Sequence, residues 1–211
     1  MSSKSIFGLA PRLNLSLEPT SSARKFHIRR LQDILQLSVQ REDFARAKKA
    51  WAILARCTEV DWITIWETGL SVIGKATGQS LEEHDTSRMG NRERLDYLKI
   101  VMLRHKPGRE QILQEIVLTL IASQRHQEAL DELELYLPSF PFQDNPVLHT
   151  YAGLIALFLA QPAGSISGPR SQSQAREAML IREAKSHFER ALALDQENVV
   201  SLRFLDKVRQ V

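Results

Sequence analysis

The 211-residue sequence predicts an all-α chain: an α-solenoid of degenerate helical hairpins led by a flexible N-terminal arm. Three observations predict it. Apolar residues recur at spacings of three and four along most of the chain, and no segment alternates apolar and polar residues as a strand would. A small residue followed four positions later by a large aromatic one appears at Ala47/Trp51 and again at Ala184/Phe188. Asp195-Gln-Glu-Asn198 then supplies turn formers that stop one helix and cap the next.

Taken in order, residues 1–23 hold Ser, Pro and Leu without a sustained period and read as the flexible arm. From Phe26, Ile28, Leu31, Ile34, Leu35 and Val39 make one apolar helical face. Arg41-Glu-Asp43 makes a turn, with Asp43 placed to cap a second helix through Phe44, Ala47, Trp51 and Leu54. A third helix is expected near Asp61, carrying Trp62, Ile65, Trp66, Leu70 and Ile73. Residues 74–90 read as a polar insertion, and helix resumes from Arg92 to His105 with Leu95, Leu98, Val101 and Met102 inward. Pro107-Gly108 breaks the chain before a strongly apolar helix at 109–124 and its partner at 126–137.

Pro138, Pro141 and Pro146 predict an extended, rigid connector. The apolar helix at 147–160 follows, with Ala152, Gly153 and Ala156 on one side for a close helix approach. Residues 161–173 are low in complexity and read as a disordered interruption. The helix 174–195 and a capping helix from Val199 to Val208 finish the chain.

The stretch 184–198 reads as the second helix of a tetratricopeptide (TPR) unit. Ala184 and Ala191 admit a neighbouring helix and Phe188 fills the space between them; Ala47, Trp51, Ala129 and Gly153 are the corresponding packing positions elsewhere. The alanines at 47, 129 and 184 are separated by 82 and 55 residues, which are not multiples of the 34-residue repeat. The array is therefore degenerate and interrupted, a TPR-like domain over 24–211 with insertions at 74–90 and 161–173. Such units cannot bury their own apolar faces, so they stack and present surfaces for other macromolecules.

Composition limits the function. One cysteine, Cys57, gives no internal disulfide framework and suits a reducing compartment, cytoplasm or nucleus. No run approaches the ~20 apolar residues of a membrane span. The net charge of +3 is unevenly spread: residues 1–60 carry 11 Lys+Arg against 5 Asp+Glu, and residues 107–160 carry 2 against 7. A basic end and an acidic middle suit two different partners, or form an ordinary solvated surface.

The six histidines are scattered, no Gly-rich phosphate loop is present, and Glu82-Glu83-His84-Asp85 lacks a second His at helical spacing. The chain therefore reads as no enzyme, with no cofactor, no metal and no small-molecule substrate. Arg24, Lys25, Arg29 and Arg30 cluster at the start of the first helix, and Lys48 and Lys49 add charge on the second. They can contact phosphates without reading sequence, or form a solvated face. Trp62, Trp66, Phe140 and Phe142 are candidate partner anchors; the tryptophans sit at apolar helical positions that also suit a core. A clamp for a carboxylate tail is disfavoured, because the first helix offers Arg29, Arg30 and Gln32 without the required Asn.

Residues 27–62 combine an opening helix, an acidic turn, an Arg/Lys-Ala-x-x-Ala-Trp helix and a Val-Asp step into a Trp-containing helix. Residues 139–160 add a Pro-Phe-x-Asp connector and its helix, and 184–205 a later repeat. In this order the segments resemble the TPR-bearing subunit of the fungal RNA polymerase I core factor. The resemblance implies a nuclear, nucleolar, non-enzymatic factor. It would assemble with a TFIIB-like subunit and a β-propeller-bearing subunit, bind the rDNA core promoter and recruit RNA polymerase I. The alternative from residues alone is a general TPR adaptor that binds peptide segments of protein partners, without DNA.

Overall fold

The computed structural model describes residues 23–61, 65–73, 83–104, 108–161 and 170–209. All regular structure among them is helical. The chain divides into two compact units, residues 1–57 and 58–211, where the sequence predicts one domain over 24–211. Each unit is described by itself.

The first unit is a hairpin of α1 (Ala23–Gln40) and α2 (Phe44–Leu54). Ile28, Leu35 and Ser38 of α1 are buried, as are Ala47, Ala50, Trp51 and Leu54 of α2. Of the apolar face expected on α1, Ile34 is exposed instead, and the small Ser38 takes a place in the packing. The Asp43 side chain accepts a hydrogen bond from the Arg46 backbone N–H at 3.0 Å, capping α2 as expected.

The second unit begins with α3 (Trp66–Val72) and α4 (Glu83–Arg104), then α5 (Arg109–Ala122) and α6 (His126–Tyr136). A 3-10 turn, Phe142–Asp144, leads into α7 (Pro146–Ala160), followed by α8 (Arg170–Leu194) and α9 (Val199–Arg209). Successive helices pack on one another in chain order, and α7 against α8 is the most extensive pairing. One continuous core runs from Trp66 to Val208 through Leu98, Ile112, Ile116, Leu130, Leu148 and Phe188. The four residues expected inward on α4, Leu95, Leu98, Val101 and Met102, are all in it.

Two hairpin turns share one construction. At the end of α1, Asp43 N–H donates to Ser38 C=O at 2.9 Å and Glu42 N–H to Val39 C=O at 3.1 Å, with Glu42 at φ 58°. At the end of α5, Arg125 N–H donates to Leu120 C=O at 3.0 Å and Gln124 N–H to Ile121 C=O at 2.9 Å, with Gln124 at φ 60°. This is the Schellman pattern, with a non-glycine residue in the left-handed position both times. The two turns stand 82 positions apart, the same offset as Ala47 and Ala129, so those alanines occupy equivalent places in two hairpins.

Three boundaries differ from expectation. Helix α4 starts at Glu83, inside the segment read as a polar insertion, and α8 starts at Arg170, inside the segment read as disordered; 74–82 and 162–169 lie outside the described residues. An apolar period is the mark of a helix that buries one face, so a polar stretch of helix carries no such mark in the sequence. Helix α3 begins at Trp66, not near Asp61. The prolines do not make an extended connector. Bonds from Ser139 N–H to Tyr136 C=O (2.9 Å) and from Gln143 N–H to Ser139 C=O (3.1 Å) fold it into a compact turn. Pro146 then occupies the first turn of α7, where its missing N–H costs nothing, and Asn145 caps that helix.

Candidate interaction surfaces

Of the packing positions read from the sequence, Ala47 and Trp51 are buried in the first unit, and Gly153 and Phe188 meet in the second. Gly153 of α7 lies against the ring of Phe188 of α8: a Cβ at Gly153 would stand 2.7 Å from Phe188 Cε1. Ala184 and Ala191, one turn either side of Phe188, are fully buried, as is Ala129. Small residues thus let two helices close around one aromatic ring, which stacks in turn on Phe204 of α9 with 5.9 Å between centroids.

Asn198 ties α9 down. Its Oδ1 accepts from the Ser201 backbone N–H at 3.0 Å, and its Nδ2 donates to Thr150 Oγ1 at 3.0 Å. The Thr150 hydroxyl donates to Pro146 C=O at 2.8 Å, so Ser201 Oγ, 2.9 Å away, is the donor to Thr150. Thr150 then makes one donated and two accepted bonds. A buried polar cluster is thereby satisfied.

A row of side chains on one flank of α8 reaches the neighbouring elements. Arg176 Nη2 donates to Gln127 Oε1 at 3.0 Å, and Arg190 pairs with Asp144 at 3.4 Å. Between them Glu183 meets Glu134, and burial together with this second carboxylate pushes Glu183 up to about 7. His187 and His149 approach with 3.3 Å between their Nδ1 atoms. His149 Nε2 lies 3.1 Å from Gln143 C=O, which can only accept, so in neutral rings His149 Nε2 carries the proton and His187 Nδ1–H donates to His149 Nδ1. Burial, then the charge a protonated His149 would carry, pushes His187 down to about 4. Burial also lowers His149. The scattered histidines of the sequence therefore include one pair, which holds the connector to α8.

The candidate anchors separate. Trp66 and Phe142 are buried, and this corrects the reading of both as partner anchors. Trp66 sits beneath α4, where the Tyr97 hydroxyl donates to its C=O at 3.1 Å, and Phe142 lies on Tyr136 with centroids 5.4 Å apart. Neither offers a surface. Phe140, two residues before Phe142, is 78% exposed. Trp62 lies outside the described residues.

The basic residues lie on both helices of the first unit. Arg24, Lys25, Arg30, Lys48 and Lys49 are exposed and Arg29 is half-buried. At ~100° per residue, Lys25 and Arg29 share one flank of α1, while Arg30 falls on the next and stands 5.2 Å over the Phe26 ring. Lys48 and Lys49 follow the buried Ala47 on the outer side of α2. These cations surround the hairpin instead of making one face.

The acidic charge of the second unit is partly paired. Lys99 Nζ meets Glu132 at 2.8 Å, and Arg125 forks onto Glu128 with an Nε–Oε1 distance of 2.6 Å. Both pairs line a cavity of about 530 Å³ beside α4, α5 and α6. Asn145 donates to Glu110 at 2.5 Å, joining α7's cap to α5. Among the described residues, no group of three or more His, Cys, Asp or Glu converges as a metal site, and no helix is long and apolar enough to cross a membrane.

The family model for RNA polymerase I-specific transcription initiation factor Rrn11 matches residues 10–118, more than half of the chain. The RNA polymerase I-specific transcription initiation factor rrn11 of Schizosaccharomyces pombe is 25% identical over 184 residues, covering 82% of this chain and 82% of that protein. No solved structure matches the chain. The match spans the basic hairpin, α3, α4 and most of α5, and the chain belongs to the Rrn11 family of RNA polymerase I-specific transcription initiation factors.

Proposed function

We propose that this protein is an architectural subunit of the complex that recognises the RNA polymerase I promoter. In this reading it works in the nucleus, at the nucleolus. It holds a TFIIB-like subunit and a β-propeller-bearing subunit together at the rDNA core promoter and helps to recruit the polymerase. Family membership over residues 10–118 carries the reading. The helical architecture supports it, because paired helices offer long surfaces and no buried catalytic cleft is needed. The repeated turn at 42 and 124 supports a TPR-like solenoid as the underlying plan.

The basic hairpin is the part we place nearest DNA, through Arg24, Lys25, Arg29, Lys48 and Lys49 on its two helices, with Arg30 set apart over the Phe26 ring. Cations spread over two helices suit a phosphate backbone, which demands charge but no sequence-specific geometry. Phe140, exposed on the connector, is the anchor we place against a protein partner.

The test is retention of the reconstituted complex on an rDNA promoter duplex across a salt series. Changing Lys25, Arg29, Lys48 and Lys49 to Glu lowers affinity and flattens the log–log salt slope by about one for each phosphate left unneutralised. An unchanged slope with normal assembly removes the DNA role and leaves the adaptor reading. Failure of the unaltered chain to enter the complex removes both.

A further inference from the structure

Helix α1 has two apolar faces, and only one is used within its hairpin. Ile28, Leu35 and Ser38 are buried. Roughly 130° round the helix, Phe26, Ile34 and Leu37 form a second stripe, exposed by 56%, 42% and 45%. Arg30 lies in the middle of it, its guanidinium over the Phe26 ring. An isolated exposed leucine needs no explanation, but three large apolar residues aligned over about three turns of one helix mark an interaction surface.

We infer that this stripe docks an amphipathic acidic helix of another subunit. The occupant must be apolar to cover Phe26, Ile34 and Leu37, which a sugar–phosphate backbone cannot do. It brings negative charge, because Arg30 stands between the apolar ends and Arg41 lies exposed just beyond the helix, two cations against the single carboxylate of Asp33 at the rim. Residues 26 to 37 span ~16 Å, so an occupant of about eleven helical residues fits: apolar at both ends, with a carboxylate facing Arg30. Lys25 and Arg29 stand on a different flank of α1, so a protein on the stripe and DNA on that flank do not compete.

This inference rests on the chain being an assembly subunit, and the test separates the two. A photo-cross-linking amino acid replaces Leu37 in the full chain, which is assembled with the other initiation subunits and promoter DNA. Mass spectrometry then identifies the linked peptide. The expected product is an acidic helical segment of another subunit. Arg30→Glu weakens incorporation about tenfold without loss of helical circular dichroism, and changing the facing carboxylate to Lys restores it. A cross-link to DNA or to residues 1–22 of the same chain, or none, overturns the docking surface while the subunit role stands. If the unaltered chain never enters the assembly, both fail.

Discussion

The α1–α2 hairpin and the α7–α8 pair start from one sequence device, a small residue four positions before an aromatic, and reach different ends. In the hairpin, Trp51 packs in a core of seven buried residues supplied by two helices. In the second unit, Phe188 is fully buried and its helix is covered by α7 and α9 within a core of 26. Among the described residues the first core is the smaller, and helices of this length are marginal in water without tertiary packing. The same hairpin carries the exposed apolar stripe and the spread cations. The less buried unit thus carries the surfaces proposed for partners, and the more buried one holds the larger core.

The largest test of that contrast is Phe188→Ala. It is expected to cost about 3–5 kcal/mol in urea unfolding, because the ring fills space that three helices cannot close. Hydrogen exchange should show α5–α7 amides protected well beyond those of α1–α2, and equal protection would break the comparison.

Gly153→Ala comes next. Alanine gains about 1 kcal/mol in helix propensity, but its Cβ meets the Phe188 ring at 2.7 Å. Overpacking costs about 1–3 kcal/mol, so net destabilisation is expected in the same urea experiment, and a gain in stability would refute the close approach.

Asp43→Ala removes the cap of α2 and should cost about 1 kcal/mol, read as earlier loss of α1–α2 amide protection with α5–α7 unaffected. Glu42→Gly and Gln124→Gly relieve left-handed strain at matching turns. Each should stabilise by up to about 1 kcal/mol after the entropic cost of glycine. Unequal responses to urea would show that the two turns are not equivalent.

The smallest effects are those of pH. His187 and His149 are held below their ordinary range, so the neutral rings favour the folded state. Their contribution is present above about 6.5 and is lost as pH falls towards 4. Glu183 is raised to about 7, so its contribution is present below about 4.5 and is lost as pH rises through 7. Glu183→Gln should therefore raise the melting temperature at pH 8 and change it little at pH 4.5. An equal shift at both pH values would mean that burial and the neighbouring carboxylate do not hold Glu183 protonated.

Residues near one another in sequence are legible, because their consequences are local. The all-helical class follows from spacings of three and four, the capping roles of Asp43 and Asn198 from side chains that reach their own backbone, and the close approach at Gly153 from small residues on one side of a helix. The family resemblance is legible from the order of segments between 27 and 160, and the match over 10–118 bears it out. Burial of Trp66 and Phe142 is not, since an apolar residue at a helical position has the same spacing whether it anchors a partner or fills a core. Helix in the polar stretches after Glu83 and Arg170 is not, because it leaves no apolar pattern.

The sequence by itself determined the all-helical class, the position of the apolar helices, the caps at Asp43 and Asn198, and where small residues permit contact. Those choices depend on backbone conformation and on neighbours within about four positions. Only the tertiary structure decided that His149 meets His187, 38 residues away, and that Thr150 meets Ser201, 51 away. It also decided that α1 keeps one apolar stripe exposed. Such pairings depend on which helix faces reach each other once the core closes, and no local spacing encodes that.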